Sequence, residues 1–274
     1  FMASEDNFIT AKSLEYGAAA VFVQDTIALS EAMTLTAGVK SEYDESVGWN
    51  TTPRIAFVFA PSGGQSFRLS YGVAVKAPSV TDEHMLMPPQ GPGGPEIWGN
   101  PDLDPEEATT VELGYRMFAP NASLDVALYH STLTGLVDFL PNFALTPVLG
   151  GAFVTQAQNN TNATALGGEI SGKVKLGPKI KLNAGWAHEY ATNDATGAKL
   201  PWTYENKANL AVDFALGGGS LKVAYSRYSE VLQKRLDGSD AQVPSADRLD
   251  IRFSLPVAEG RGEFMVGGDW LLDY

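Results

Sequence analysis

Residues 99–116, GNPDLDPEEATTVELGYR, decide the fold, because a proline-rich, acidic segment runs there directly into a strand pattern. Pro101 and Pro105 fix φ and lack a backbone donor, so the first half of the stretch cannot form a regular element. In the second half apolar residues such as Val111 and Leu113 alternate with polar ones. This period of two predicts a β-strand with one apolar and one polar face, entered from a long loop.

The same alternation recurs along most of the chain. Residues 66–76, for example, place Phe67, Leu69 and Tyr71 on one face and Arg68 and Ser70 on the other. No long segment has helical periodicity, and no run of 18 apolar residues exists, so no transmembrane helix is expected. The predicted strands are 17–28, 34–43, 53–60, 66–77, 108–118, 123–138, 164–175, 180–190, 205–215, 220–229, 246–256 and 262–272.

The connections between these strands alternate in length. Each longer connection follows a short one and is followed by another short one. The five longer connections are about 44–52, 78–107, 139–163, 191–204 and 230–245. In an antiparallel up-and-down sheet, alternate connections lie at the same end, so one end has tight turns and the other has loops. Transmembrane β-barrels have this asymmetry, with short periplasmic turns and longer extracellular loops. Greek-key crossings in a soluble β-sandwich would scramble it.

Aromatic and charged residues fit a membrane barrel. Aromatic residues near the short turns match an interfacial girdle; they are Phe59, Phe67, Phe118, Phe214, Phe253 and Phe264. Charged residues of both signs oppose the apolar rows and would line the barrel interior; they are Arg68, Lys76, Glu112, Arg116, Asp125, Glu169, Lys173, Lys175, Asp213, Lys222, Asp250 and Arg252.

Composition limits the possible functions. The 274 residues include no cysteine, which excludes disulfides and thiolate metal sites. The net charge of −13 argues against a nucleic-acid partner, which needs a basic surface. The first residues lack the basic and apolar regions of a signal peptide. A chain of this length and class is expected to form a single domain, 1–274.

Several segments, in this order, resemble the barrel of TonB-dependent outer-membrane receptors. They are LSYGVAVKAPS (69–79), GNPDLDPEEATTVELGYR (99–116), LDVALYH (124–130), GLVDF (135–139), GGEI (167–170) and DWLLDY (269–274). The resemblance implies an all-β, antiparallel, up-and-down transmembrane β-barrel, of which this chain supplies about 12 of a probable 22 strands. It also implies that a plug domain, a TonB box and a last strand lie outside the chain.

The function implied by the resemblance is active transport, not catalysis. Such receptors bind a scarce small molecule or metal chelate, such as a ferric siderophore or cobalamin, and import it with energy from the TonB complex, which acts through the plug. The expected location is the outer membrane of a Gram-negative bacterium, with outer-membrane lipid as a partner. No cofactor and no resident metal are expected.

Residues of the long loops are the candidate ligand contacts, because binding residues concentrate on loops carried by rigid scaffolds. Aromatic side chains there could enclose a ligand or pack the loops against each other. His84, with Asp, Glu and Met around it, also permits a metal site, although no fixed spacing supports one. The candidate ligand-binding residues are Trp49, His84, Met85, Trp98, Asn100, Phe143, Trp202 and Tyr204.

Two alternative functions stay open on the sequence. A self-contained barrel of twelve strands could act as a pore or a phospholipase-like enzyme, and it would pair strand 17–28 with strand 262–272. His130 and Ser131 suggest hydrolase chemistry, but adjacent residues of a strand point to opposite faces. A soluble β-sandwich that acts as a binding module is the other alternative.

Overall fold

The computed structural model of the chain describes residues 17–89, 94–145, 153–201, 203–234, 240–257 and 261–272. In chain order the elements are β1 (Ala18–Ser30), β2 (Met33–Asp44), β3 (Gly48–Ser62), β4 (Gln65–Lys76), α1 (Val80–His84), β5 (Leu86–Met87), β6 (Glu96–Trp98), β7 (Glu106–Ala119), β8 (Ala122–Pro141), β9 (Val154–Leu176), β10 (Ile180–Asn193), β11 (Asn206–Leu216), β12 (Gly219–Tyr228), β13 (Val231–Lys234), β14 (Asp240–Val243), β15 (Ala246–Val257) and β16 (Gly262–Leu271).

Twelve strands form one antiparallel, up-and-down sheet, which confirms the predicted partial barrel. Its order is β1-β2-β3-β4-β7-β8-β9-β10-β11-β12-β15-β16, so each strand pairs with the next long strand of the chain. Among the described strands β1 pairs only with β2, and β16 pairs only with β15. The strand pair that a closed twelve-stranded barrel requires is therefore not formed. No helix in the described ranges is long and apolar enough to cross a membrane.

The register gives the sheet one apolar and one polar face. Leu69, Leu113 and Leu128 pair in a row across β4, β7 and β8, and Leu113 is 53% exposed. Their immediate neighbours, such as Arg68 and Glu112, point to the other side, because successive side chains of a strand alternate between faces. A sheet whose large apolar side chains remain exposed in this way has one face suited to lipid.

Most connections have the predicted lengths, but two do not. The connection predicted at 44–52 consists of residues 45–47, because β2 and β3 continue pairing up to Asp44 and Gly48. Gly48 closes this turn with φ of 75°, a conformation that residues with a Cβ rarely adopt. The connection predicted at 139–163 is also shorter, because β9 begins at Val154 instead of residue 164.

Of the aromatic residues predicted at the short-turn end, Phe59 and Phe67 lie together on the apolar face, whereas Phe118 does not lie on that face. Phe67 contacts the rings of Phe59 and Tyr115, with centroids 6.3 and 4.9 Å apart, and all three belong to the apolar face. Phe118 has the opposite parity, since Arg116 of the polar face lies two residues before it and stacks its guanidinium over the Phe118 ring. Sequence proximity to a turn does not determine the face, which explains the wrong assignment.

A glycine on the polar face makes room for a tyrosine from the neighbouring strand. Tyr129 of β8 lies over Gly167 of β9, and its hydroxyl donates a hydrogen bond of 2.8 Å to Glu189 of β10. A Cβ added to Gly167 would lie 2.2 Å from the Tyr129 Cζ atom. Tyr129 therefore links three strands through a notch that only glycine leaves open.

The substitution Gly167→Ala is expected to lower the free energy of unfolding by about 1–3 kcal/mol, because the added methyl group overpacks the Tyr129 ring. Chemical denaturation of the protein refolded in detergent measures this loss. Gly172→Ala is the matched control, since its Cβ would approach no atom closer than 3.5 Å. Equal stability of the two variants would contradict the role assigned to the notch, as would a failure of Tyr129→Ala to relieve the Gly167→Ala defect.

Candidate functional site

The long connection between β4 and β7, residues 77–105, is the most elaborate segment at the loop end, and we call it the strap. It starts with α1, whose N-terminus is a capping box: the Ser79 hydroxyl accepts from the Asp82 backbone amide, and the Asp82 carboxylate accepts from the Ser79 amide. This box satisfies two amides that the helix itself cannot bond. The strap thus begins as a defined structure and not as an open coil.

Within the strap, the chain folds back on α1. The Gly99 amide donates to the Met85 carbonyl at 2.7 Å, and the Asn100 amide donates to the Asp82 carbonyl at 2.8 Å. A Cβ on Gly99 would lie 2.6 Å from the backbone of Glu83, so this close approach requires glycine. The short strands β5 and β6 pair at Leu86 and Trp98. These contacts bring the predicted residues His84, Met85, Trp98 and Asn100 together.

The strap passes β7 and β8 and joins β9. Strand β6 pairs in parallel with the first residues of β9, from Glu96 opposite Val154 to Trp98 opposite Gln156. The sheet order places β7 and β8 between β4, where the strap starts, and β9, where it attaches. The strap therefore spans the loop end of three neighbouring strands.

Amide side chains of β9 fasten the strap. Asn159 accepts from the Asp104 amide at 2.8 Å and donates to the carbonyls of Asp104 and Gly135 at 2.8 and 2.6 Å. Asn100 donates to the Ala157 carbonyl at 3.2 Å and accepts from the Asp102 amide at 3.0 Å. The Asn100 amide is thus already engaged in holding the strap.

The strap lies on the polar face of the sheet. On the side of Gly167 before the register shift of β9, Ala163 and Ala165 of the polar face are buried, whereas Leu166 of the apolar face is 60% exposed. Beyond that shift, Asn159 reaches Asp104 of the strap. Ala157, farther along β9, is completely buried. The dry core of the chain forms at this contact instead of between two sheets; its apolar members here include Ile97, Leu103, Val154 and Ala157.

Phe143 and Tyr204, two further predicted residues, lie in different places. Phe143 follows β8, is 72% exposed and contacts the Phe153 ring at 6.1 Å, while the Phe153 carbonyl accepts from Glu96 of β6. Tyr204 precedes β11, is 48% exposed and contacts Tyr228 at 5.4 Å. Phe143 therefore adjoins the strap, whereas Tyr204 belongs to a separate aromatic pair.

Trp49 and Trp202 differ from the other candidates. Trp49 lies in β3 opposite Tyr43 of β2, and their rings are 5.6 Å apart on the apolar face. An exposed aromatic pair on that face and at that end suits a membrane interface better than a ligand in the barrel interior. Trp202 lies outside the described residues.

A polar cleft of about 390 Å³ adjoins the start of the strap. Its polar lining residues are Lys40, Glu42 and Asp44 of β2 and their cross-strand neighbours Asn50 and Thr52 of β3. The hydroxyl and amide of Ser46 in the neighbouring turn both donate to Asp44. The cleft contains charges of both signs, so it favours no single ion.

Ion pairs within and between neighbouring strands lie along the polar face. Arg68 pairs with Glu112, Lys76 with Glu106 at 2.9 Å, Arg116 with Asp125, and Arg248 with Asp250 at 2.7 Å. Such partly exposed pairs contribute roughly 0–1 kcal/mol each to stability.

The described residues offer little for the alternative chemistries. They contain no group of three or more His, Cys, Asp or Glu side chains that could hold a metal ion. His130 belongs to the apolar face and Ser131 to the polar face, where the Ser131 hydroxyl bonds the Thr110 hydroxyl at 2.8 Å. The two side chains therefore cannot form a nucleophile–base pair, which requires hydrogen-bond contact.

Comparison with known proteins gives a consistent result. The family described as "TonB dependent receptor-like, beta-barrel" matches residues 4–266. The chain is 28% identical over 155 residues to the vitamin B12 transporter BtuB of Vibrio vulnificus, a match that covers 56% of this chain and 22% of the transporter. It is 24% identical over 178 residues to the iron-regulated outer membrane virulence protein of Vibrio cholerae, covering 62% and 27% of the two proteins.

Solved structures share the fold at lower sequence identity. A mutant of the ferric enterobactin receptor PfeA of Pseudomonas aeruginosa, in complex with enterobactin, superimposes with a TM-score of 0.77 at 18% identity. The superposition covers 94% of this chain and 40% of that receptor. The matches to the two curated relatives likewise span only 22% and 27% of their lengths.

Proposed function

The chain belongs to the TonB-dependent receptor β-barrel family, whose members lie in the outer membrane of Gram-negative bacteria, and from this premise we propose that it serves as an outer-membrane receptor that captures a scarce small ligand and imports it. The apolar face contacts lipid, and the polar face lines the interior. The family consists of receptors and transporters and not of enzymes.

The strap on the interior face is the observation that carries this proposal. It fixes His84, Met85, Trp98 and Asn100 at the loop end, and a rigid loop that presents side chains into a lumen is a typical binding element. Phe143 beside the strap and Tyr204 across the sheet add exposed aromatic surface. Aromatic rings supply large contact areas at low entropic cost.

We propose a ferric siderophore, cobalamin or a similar metal chelate as the ligand. This class is supported by two relatives, a vitamin B12 transporter and a ferric enterobactin receptor. Energy would come from the TonB complex through the family's plug domain. Asn100 would hold the strap in place instead of contacting the ligand, because its side-chain amide is hydrogen-bonded to β9 and to the strap.

Uptake by cells tests the proposal. In cells whose sole receptor combines this chain with the family's plug domain, we expect import of radiolabelled ferric enterobactin or cyanocobalamin, and a loss of about tenfold or more in the Phe143→Ala/Tyr204→Ala variant. The loss follows because exposed aromatic residues at a binding site often dominate the binding energy.

Trp49→Ala is the matched control, since Trp49 is a similarly exposed aromatic residue, 65%, at the same end but on the lipid face. Its import should equal that of the wild type. Import of neither probe by the wild type would refute the proposed ligand class. Unchanged import in the double variant, or an equal loss in Trp49→Ala, would refute the proposed site.

A further inference from the structure

One row of the interior face is basic across five neighbouring strands. Lys175 of β9 pairs with Lys181 of β10, Lys181 with Asp213 of β11, Asp213 with Lys222 of β12, and Lys222 with Arg252 of β15. Four cations and a single carboxylate therefore lie side by side. The row starts beside the tight turn at residues 177–179, so it lies at the end opposite the strap.

The cations of this row differ from four other cations of the interior face. Arg68, Lys76, Arg116 and Arg248 each form an ion pair with a carboxylate of the same or a neighbouring strand. Within the described ranges, Lys175, Lys181, Lys222 and Arg252 form none. All four side chains are exposed, and Asp213 accepts a hydrogen bond of 3.2 Å from Asn183.

This arrangement is unfavourable for the sheet alone. Lys175 faces Lys181 directly, and Lys222 faces Arg252, and like charges at directly opposed positions destabilise a strand pair. The chain as a whole has a net charge of −13, so a local excess of positive charge is not a consequence of composition. An anionic partner on the row would remove the repulsion.

From this charge arrangement we propose that the row, Lys175, Lys181, Asp213, Lys222 and Arg252, is a docking surface for an acidic segment of polypeptide. Adjacent strands are about 4.8 Å apart, so the five strands span roughly 19 Å. An extended peptide of about six residues has this length. A small anion would contact only one or two of the cations, whereas an extended peptide reaches the whole row.

Peptide titration in detergent tests the proposal independently of ligand import. We expect fluorescein-labelled hexaglutamate to bind the purified chain of 274 residues, and its affinity to fall when the ionic strength is raised from about 0.05 to 0.5 M. In the variant Lys175→Gln/Lys181→Gln/Lys222→Gln, the affinity should fall by about tenfold or more, because complementary charges contribute to recognition.

The matched control is Arg54→Gln/Arg68→Gln/Lys76→Gln, which removes three positive charges from the interior face of β3 and β4, and it should leave the affinity unchanged. In the wild type, bound hexaglutamate should protect Lys175, Lys181 and Lys222 from acetylation, but not Lys40. This footprint stays informative if the triple variant fails to fold. Equal binding by both variants, absence of protection, or binding of tripolyphosphate but not hexaglutamate would overturn the proposal.

Discussion

Replacing Leu113 by arginine is expected to lower the free energy of unfolding by about 2–4 kcal/mol, the cost of a charged side chain on the lipid face of a barrel near the bilayer midplane. Leu113 lies near the middle of β7, is 53% exposed, and pairs with Leu69 and Leu128. Its neighbours on that face are apolar, so no carboxylate is at hand to pair with the guanidinium. Denaturant titration of the protein refolded into lipid vesicles measures the change.

Ala127→Arg is the control for this prediction. Ala127 lies on β8 within the same part of the sheet, but on the interior face, where it pairs with Gly114 and Glu169. An arginine there can approach the Glu169 carboxylate and remain hydrated, so the loss should be under about 1 kcal/mol. If both arginines cost the same, or if Leu113→Arg costs nothing in vesicles, the assignment of the apolar face to lipid is wrong.

The twelve strands were predictable because a membrane barrel imposes an alternation of apolar and polar residues on its strands. One face of the strand contacts lipid and the other contacts water, so apolar and polar residues alternate, as Leu249, Asp250 and Ile251 of β15 illustrate. The tight turns then follow from the glycine and proline between the strands. A single sequence contains this information because each strand carries it locally.

The first half of β9 was not predictable in this way. Residues 154–163 are largely polar on both faces, so they have no visible period of two. They form a strand because β8 continues to pair with them up to Pro141, β6 pairs with residues 154–156, and the strap supplies partners for Asn159. The stretch of Gln and Asn at 156–162 was the available indication, since such amide side chains can substitute for backbone partners.

Only the part of the candidate site that lies within the strap was predictable from the sequence. His84, Met85, Trp98 and Asn100 meet because the strap folds on itself, and the sequence already grouped them. Which strand the strap joins depends on long-range pairing that no local pattern encodes. Trp49 was wrongly predicted to lie in a loop, because Asp, Glu, Ser and Gly precede it and are typical of loops. The pairing of β2 with β3 instead continues to Gly48 and places Trp49 on the lipid face.

The substitution Asn159→Ala is expected to release the strap, because Asn159 satisfies three backbone groups, the amide and carbonyl of Asp104 and the carbonyl of Gly135. Each unsatisfied group costs about 1–3 kcal/mol, and partial access of water brings the expected total to roughly 3 kcal/mol. Exchange of the Asp104 amide with solvent should therefore accelerate by about a hundredfold, as measured by hydrogen–deuterium exchange, while amides at the short turns keep their rates. Asn160→Ala is the matched control, since Asn160 has the same side chain, is adjacent in β9 and is exposed. If Asn160→Ala accelerates exchange equally, or if Asn159→Ala leaves it unchanged, β6 pairing alone holds the strap and the amide clamp is dispensable.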